Sequence, residues 1–84
     1  MVTKENIEAR ILTILKDFDI EESILLNSDF VKNLGLDSLD VVELIMSIEK
    51  DFNITITDDE AEKINTLEDA VKLVYDKLTT AIRQ

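Results

Sequence analysis

With 84 residues, 45% of them hydrophobic and 33% charged, the chain has the length of one domain and the composition of a folded globule with a thin, mainly aliphatic core. Nineteen acids against nine bases give a formal net charge of −10, which excludes nucleic acid as a partner and favours basic patches on other proteins. The chain contains no Cys and no His, so disulfides, thiolate or imidazole catalysis and His-ligated metal are excluded.

The first predicted helix runs from about Lys4 to Asp17, where Ile7, Ile11, Ile14, Leu15 and Phe18 recur at three- and four-residue spacing. Thr3 is placed to cap it, and Val2 with Ile7 fits a hydrophobic staple. A long connection follows, from Asp19 to Leu36, closed by the only glycine, Gly35. Loops this long are uncommon in compact domains and often functional. Ile20, Ile24, Leu25, Leu26 and Phe30 are expected to pin it to the core, which makes it an ordered loop.

The second helix is predicted from Asp37 or Ser38 to about Asp51, with Asp37 as N-cap and Asp40 complementing the helix dipole. Ile54-Thr55-Ile56-Thr57 alternates like a strand but has no plausible partner, so it reads as an extended connector. Thr57-Asp58-Asp59-Glu60 matches a capping box and opens a short third helix ending near Asn65. Thr66 caps the last helix, on which Leu67, Ala70, Val71, Val74 and Leu78 form an apolar stripe. The sequence thus predicts an all-α fold, residues 1–84 forming a single domain: a four-helix bundle of three longer helices and one short one, with a long ordered loop between the first two. No apolar run approaches the ~18 residues of a membrane span. The first residues lack a signal-peptide pattern, so the expected location is cytoplasmic.

On a helical wheel, Val41, Leu44, Ile45, Ile48 and Phe52 share the core side of the second helix, opposite Asp40, Glu43, Ser47 and Asp51. Leu39, Val42 and Met46 widen the apolar arc beyond what one core-facing stripe needs. They either complete the core under loop residues or form an exposed apolar strip rimmed by Glu43 and Glu49. Such a strip is a docking surface for a basic, partly hydrophobic partner. The charge is uneven as well: from Asp37 to Glu62 nine acids face a single base, Lys50.

The run Phe30-Val31-Lys32-Asn33-Leu34-Gly35-Leu36-Asp37-Ser38-Leu39-Asp40-Val41-Val42-Glu43-Leu44 resembles the signature of acyl carrier proteins. Asp-Ser-Leu alone is a weak motif, whereas Gly-x-Asp-Ser-Leu-Asp ahead of an acidic amphipathic helix is specific. Asp58 to Ile64 resembles the family's short third helix, so the likeness spans nearly the whole chain.

The resemblance implies that Ser38 bears 4'-phosphopantetheine through a phosphodiester, flanked by Asp37 and Leu39. Gly35 would let the loop turn tightly and keep the approach uncrowded. It implies that Asp37, Leu39, Asp40, Val42, Glu43, Met46 and Glu49 meet partner enzymes. Those partners would be a phosphopantetheinyl transferase and acyl-processing enzymes with basic docking patches: transacylases, ketosynthases, reductases, dehydratases and acyltransferases. The protein itself would be no enzyme, would hold no metal, and would work as a monomer in fatty acid biosynthesis. Three departures bear on which partners it serves: Asn33 where an Asp is usual, Lys50 in a stretch that is often acidic, and Thr57 where a proline is usual. The competing expectations are a specialised carrier for a polyketide, peptidyl, D-alanyl or other acyl unit, and an acidic helical adaptor that is never modified. For the adaptor, Ser38 is an ordinary helix-start serine.

Overall fold

The computed structural model describes the backbone of residues 2–83 and the side chains of residues 2–80. It contains helices α1 (Lys4–Leu15), α2 (Ser38–Phe52), α3 (Asp58–Glu62) and α4 (Leu67–Arg83), and among the described residues no strand. Each helix starts where a short polar side chain accepts an otherwise orphaned N–H. Thr3 Oγ1 accepts from Asn6 N–H at 3.1 Å and Thr66 Oγ1 from Asp69 N–H at 3.1 Å. Thr57 and Glu60 form the reciprocal capping box expected for α3. Asp37 and Asp40 form another at α2.

α1 ends two residues earlier than its periodicity suggests. Lys16–Phe18 tighten into a 3-10 turn, and Asp19 stops it in the left-handed region at φ 58°. α3 is likewise shorter than expected, ending at Glu62 rather than near Asn65. The reason lies in the next residue pairs: Asn65 N–H donates to Asp69 Oδ2 at 3.0 Å and Asn65 C=O accepts from Phe30 N–H at 2.8 Å. Both backbone groups of Asn65 are therefore committed outside α3, one of them to the start of α4.

The core is mainly aliphatic, as the composition demands, with Phe30 and Phe52 as its rings. Ile7, Ile11 and Leu15 of α1, Leu44, Ile45 and Ile48 of α2, and Leu67, Ala70, Val71 and Val74 of α4 meet in its centre. Burying one such Leu, Ile or Val stabilises the fold by about 1.5–3 kcal/mol. Arg10 clips α1 to α2 at the surface: its guanidinium lies 2.9 Å from Asp51 Oδ2 and stacks 4.6 Å from the Phe52 ring centroid. An exposed pair of this kind contributes little. Its packing over Phe52 is the larger part.

The long connection is ordered, and Phe30, Ile20 and Ile24 pack on the core as the sequence suggests, whereas Leu25 and Leu26 do not. Phe30, Leu34 and Leu36 are buried and Ile20 and Ile24 half-buried, but Leu25 and Leu26 are 61% and 43% exposed. They do not pin the loop. The loop is held by its other apolar residues and by backbone hydrogen bonds to the start of α4, from Phe30 N–H to Asn65 C=O, Leu67 N–H to Ser28 C=O, and Glu68 N–H to Leu26 C=O. Ser28 is buried, and its Oγ accepts Leu25 N–H at 2.9 Å. This satisfies a polar group inside the fold and turns the two leucines outward.

Candidate functional site

Ser38 is the first residue of α2 and is exposed. The turn that delivers it begins at Asp29, whose Oδ1 accepts the N–H groups of Val31 and Lys32 at 2.9 Å each. These bonds, the Lys32 amide first, hold the Asp29 carboxyl below its ordinary range. Asn33 closes the same turn, its Oδ1 accepting Asp29 N–H at 2.7 Å. An amide oxygen therefore suffices at the position where an Asp is more usual. Gly35 then takes φ 74°, a conformation that most side chains resist. Open space surrounds the place where its Cβ would sit, so backbone conformation, not crowding, calls for glycine here.

Asp37 presents an electrostatic puzzle beside a residue expected to carry a phosphate. Its geometry resolves the puzzle. Asp37 Oδ1 accepts Asp40 N–H at 2.9 Å, and Asp40 Oδ2 accepts Asp37 N–H at 3.3 Å. The Asp37 carboxylate is thus committed to the helix it caps. Helix geometry leaves the Ser38 and Leu39 N–H groups without an intrahelical acceptor, at the positive end of the α2 dipole. An anion attached to Ser38 Oγ fits this setting.

Beside Ser38 lies a cleft of about 270 Å³ walled by Phe30, Val31, Val41, Ala61 and Ile64, with Asp29, Glu62 and Asn65 at its polar edges. The cleft is a product of tertiary structure, because its walls come from the loop, α2 and the α3–α4 region. Nothing local in the sequence marks Val31, Ala61 or Ile64 as neighbours of Ser38.

The two alternatives for Leu39, Val42 and Met46 are decided in favour of exposure, at 74%, 53% and 60% respectively. With exposed Glu43 and half-buried Asp40 they form one face of α2. Glu49 is half-buried like Asp40 but reaches beyond its own helix: its Oε2 accepts Ile56 N–H at 2.9 Å, tying α2 to the extended connector. Among the described residues no group of acids is arranged to hold a metal ion, and no helix is long and apolar enough to cross a membrane.

A helix-start serine, a small apolar cleft beside it and an acidic helix behind it describe a domain built to carry a tethered group. Residues 8–74 match the family described as the phosphopantetheine attachment site. The chain is 46% identical over 80 residues to the acyl carrier protein of Cyanidium caldarium, covering 93% of each chain. It is 47% identical over 75 residues to the acyl carrier protein of Buchnera aphidicola subsp. Acyrthosiphon pisum (strain 5A), covering 87% of this chain and 94% of the relative. The acyl carrier protein of Buchnera aphidicola subsp. Schizaphis graminum (strain Sg) is 45% identical over 74 residues, covering 86% and 94%. The chain belongs to the acyl carrier protein family, whose members are carriers rather than catalysts and bear a covalently attached 4'-phosphopantetheine group.

Proposed function

We propose that this chain holds its 4'-phosphopantetheine on Ser38 Oγ and works in fatty acid biosynthesis, as a cytoplasmic monomer that presents acyl groups to successive enzymes. The group supplies a terminal thiol that holds the acyl chain as a thioester; the chain's own residues bind, orient and steer. The observation that carries the assignment is the exposed Ser38 at the start of α2, inside the Gly35-Leu36-Asp37-Ser38-Leu39-Asp40 run and beside an apolar cleft.

Each neighbour has a part in this reading. Gly35, through its positive φ, and the Asp29–Asn33 turn lead the chain into α2, the Asp37–Asp40 capping box fixes the first turn, and the free amides of Ser38 and Leu39 receive the phosphodiester charge. Leu39, Val42 and Met46, rimmed by Asp40 and Glu43, dock on a basic patch with an apolar centre. Long-range attraction makes such encounters fast and salt-sensitive, and the small contact lets each enzyme go. Glu49 adds its charge to the rim while its carboxylate anchors the connector. The cleft beside Ser38 shelters the near end of the acyl chain, at about 0.8 kcal/mol per buried methylene. The chain takes no catalytic part, since no histidine or cysteine is present to activate Ser38 or the cargo.

The test is intact-mass measurement after incubation with coenzyme A and a broad-specificity phosphopantetheinyl transferase. One phosphopantetheine gained by the parent and none by Ser38→Ala is the expected result. No gain by a folded parent, or an equal gain by the variant, overturns the assignment.

A further inference from the structure

The exposed apolar residues of the long loop remain outside the docking face of α2. Single exposed leucines are ordinary on protein surfaces. Leu25 and Leu26 differ because they are adjacent, 61% and 43% exposed, and set on a backbone that is locked rather than loose. Ser28 closes a turn on Leu25 from both directions, its Oγ accepting Leu25 N–H and its N–H donating to Leu25 C=O at 3.0 Å. Leu26 C=O is held by Glu68 N–H at 2.8 Å. The pair is therefore presented in a fixed conformation, and a surface fixed before binding loses little entropy when a partner covers it.

Two further observations say what that partner is. First, the loop shares the charge pattern of α2: Asp17, Asp19, Glu21, Glu22 and Asp29 lie between Lys16 and Lys32 with no base among them. A basic surface with an apolar centre suits both regions. Second, the backbone ladder that begins at Leu26 and Glu68 ends at Phe30 and Asn65, which wall the cleft beside Ser38 together with the 54% exposed Val31. The leucine pair is thus linked along one rigid segment to the site an enzyme must approach.

We infer that Leu25 and Leu26, continued by Val31, form a second docking edge for the same basic acyl-processing enzymes that seat on Leu39, Val42 and Met46. The inference rests on the carrier reading. Footprints on two elements fix the orientation of a partner as well as its position, which a single helix face does poorly. The ladder between the loop and α4 keeps the second edge in register with the Ser38 cleft.

The probe is a ketosynthase of fatty acid synthesis that accepts the holo-protein, titrated into the isotopically labelled carrier while amide resonances are followed. Perturbation at residues 25, 26 and 31 as well as at 39–46 is expected. Leu25→Asn with Leu26→Asn is expected to raise KM roughly five- to tenfold with kcat and melting temperature unchanged, the scale of losing interface anchors. Perturbation confined to 39–46 overturns the inference and leaves the α2 face standing. Perturbation at neither region overturns the docking reading as well. Concentration-dependent self-association abolished by the double variant overturns it in favour of a second copy of this chain. Because the resonance footprint is read on the unmutated protein, a variant that folds poorly does not protect the inference.

Discussion

Replacing Asp37 separates two roles that coincide in one carboxylate. Asp37 Oδ1 caps α2 by accepting Asp40 N–H at 2.9 Å, and its charge lies beside Ser38 on the face proposed to meet partners. Asn is as good an N-cap as Asp, so Asp37→Asn keeps the hydrogen bond and loses the charge, costing only the few tenths of a kcal/mol that a carboxylate gains from the dipole. Asp37→Ala loses the cap, leaves Asp40 N–H without its acceptor and costs about 1–1.5 kcal/mol. In a domain of this size that corresponds to a fall in melting temperature of roughly 4–12 °C. Urea unfolding followed by helical circular dichroism measures both variants, and the m-value should not change. The same proteins are then assayed for Ser38 modification. Asp37→Asn should raise the transferase KM while retaining nearly full stability. Asp37→Ala should lower stability and further impair modification, because an uncapped first turn no longer holds Ser38 in place. Equal stability of the two variants would refute the capping account, and full transferase efficiency in Asp37→Asn would refute the role of its charge.

Two other outcomes follow from the geometry. Gly35→Ala should cost about 1 kcal/mol through its positive φ. Gly35→Asn should cost less although Asn is larger, because Asn tolerates that conformation; urea unfolding that ranks Asn below Ala would show that space, not φ, governs the site. The Lys77 ammonium, 2.8 Å from Glu60 Oε1, and then the Thr57 N–H hold the Glu60 carboxyl below its ordinary 4.5. A depressed carboxylate contributes stability that is complete above the ordinary value and disappears as pH falls through the lower folded one. Lys77→Met should therefore be less stable than the parent near pH 7, with the gap in urea unfolding narrowing as pH falls below the ordinary 4.5; a gap that is independent of pH contradicts the pairing.

Local chemistry made most of the helical frame legible in the sequence. Thr3, Asp37, Thr57 and Thr66 are short polar side chains at helix starts, and capping acts within three residues, so their roles can be read without a fold. The core stripe of α4 and the buried side of α2 follow from helical period alone. The place of Ser38 at the start of α2 is legible for the same reason, since its motif, its glycine and its helix are contiguous in the chain.

Tertiary structure decided what sequence spacing left open or misplaced. An apolar residue in a loop carries no period, so Leu25 and Leu26 read like Phe30 until the ladder to α4 and the buried Ser28 set which of them faces water. Leu39, Val42 and Met46 could be core or surface on a wheel, because the wheel gives direction but not whether another element covers it. Glu49 resembled its acidic neighbours until the connector brought the Ile56 amide to its carboxylate, seven residues away. The cleft beside Ser38 has no sequence signature at all: its walls come from three separate stretches, and only packing the loop against α2 and the α3–α4 region creates it.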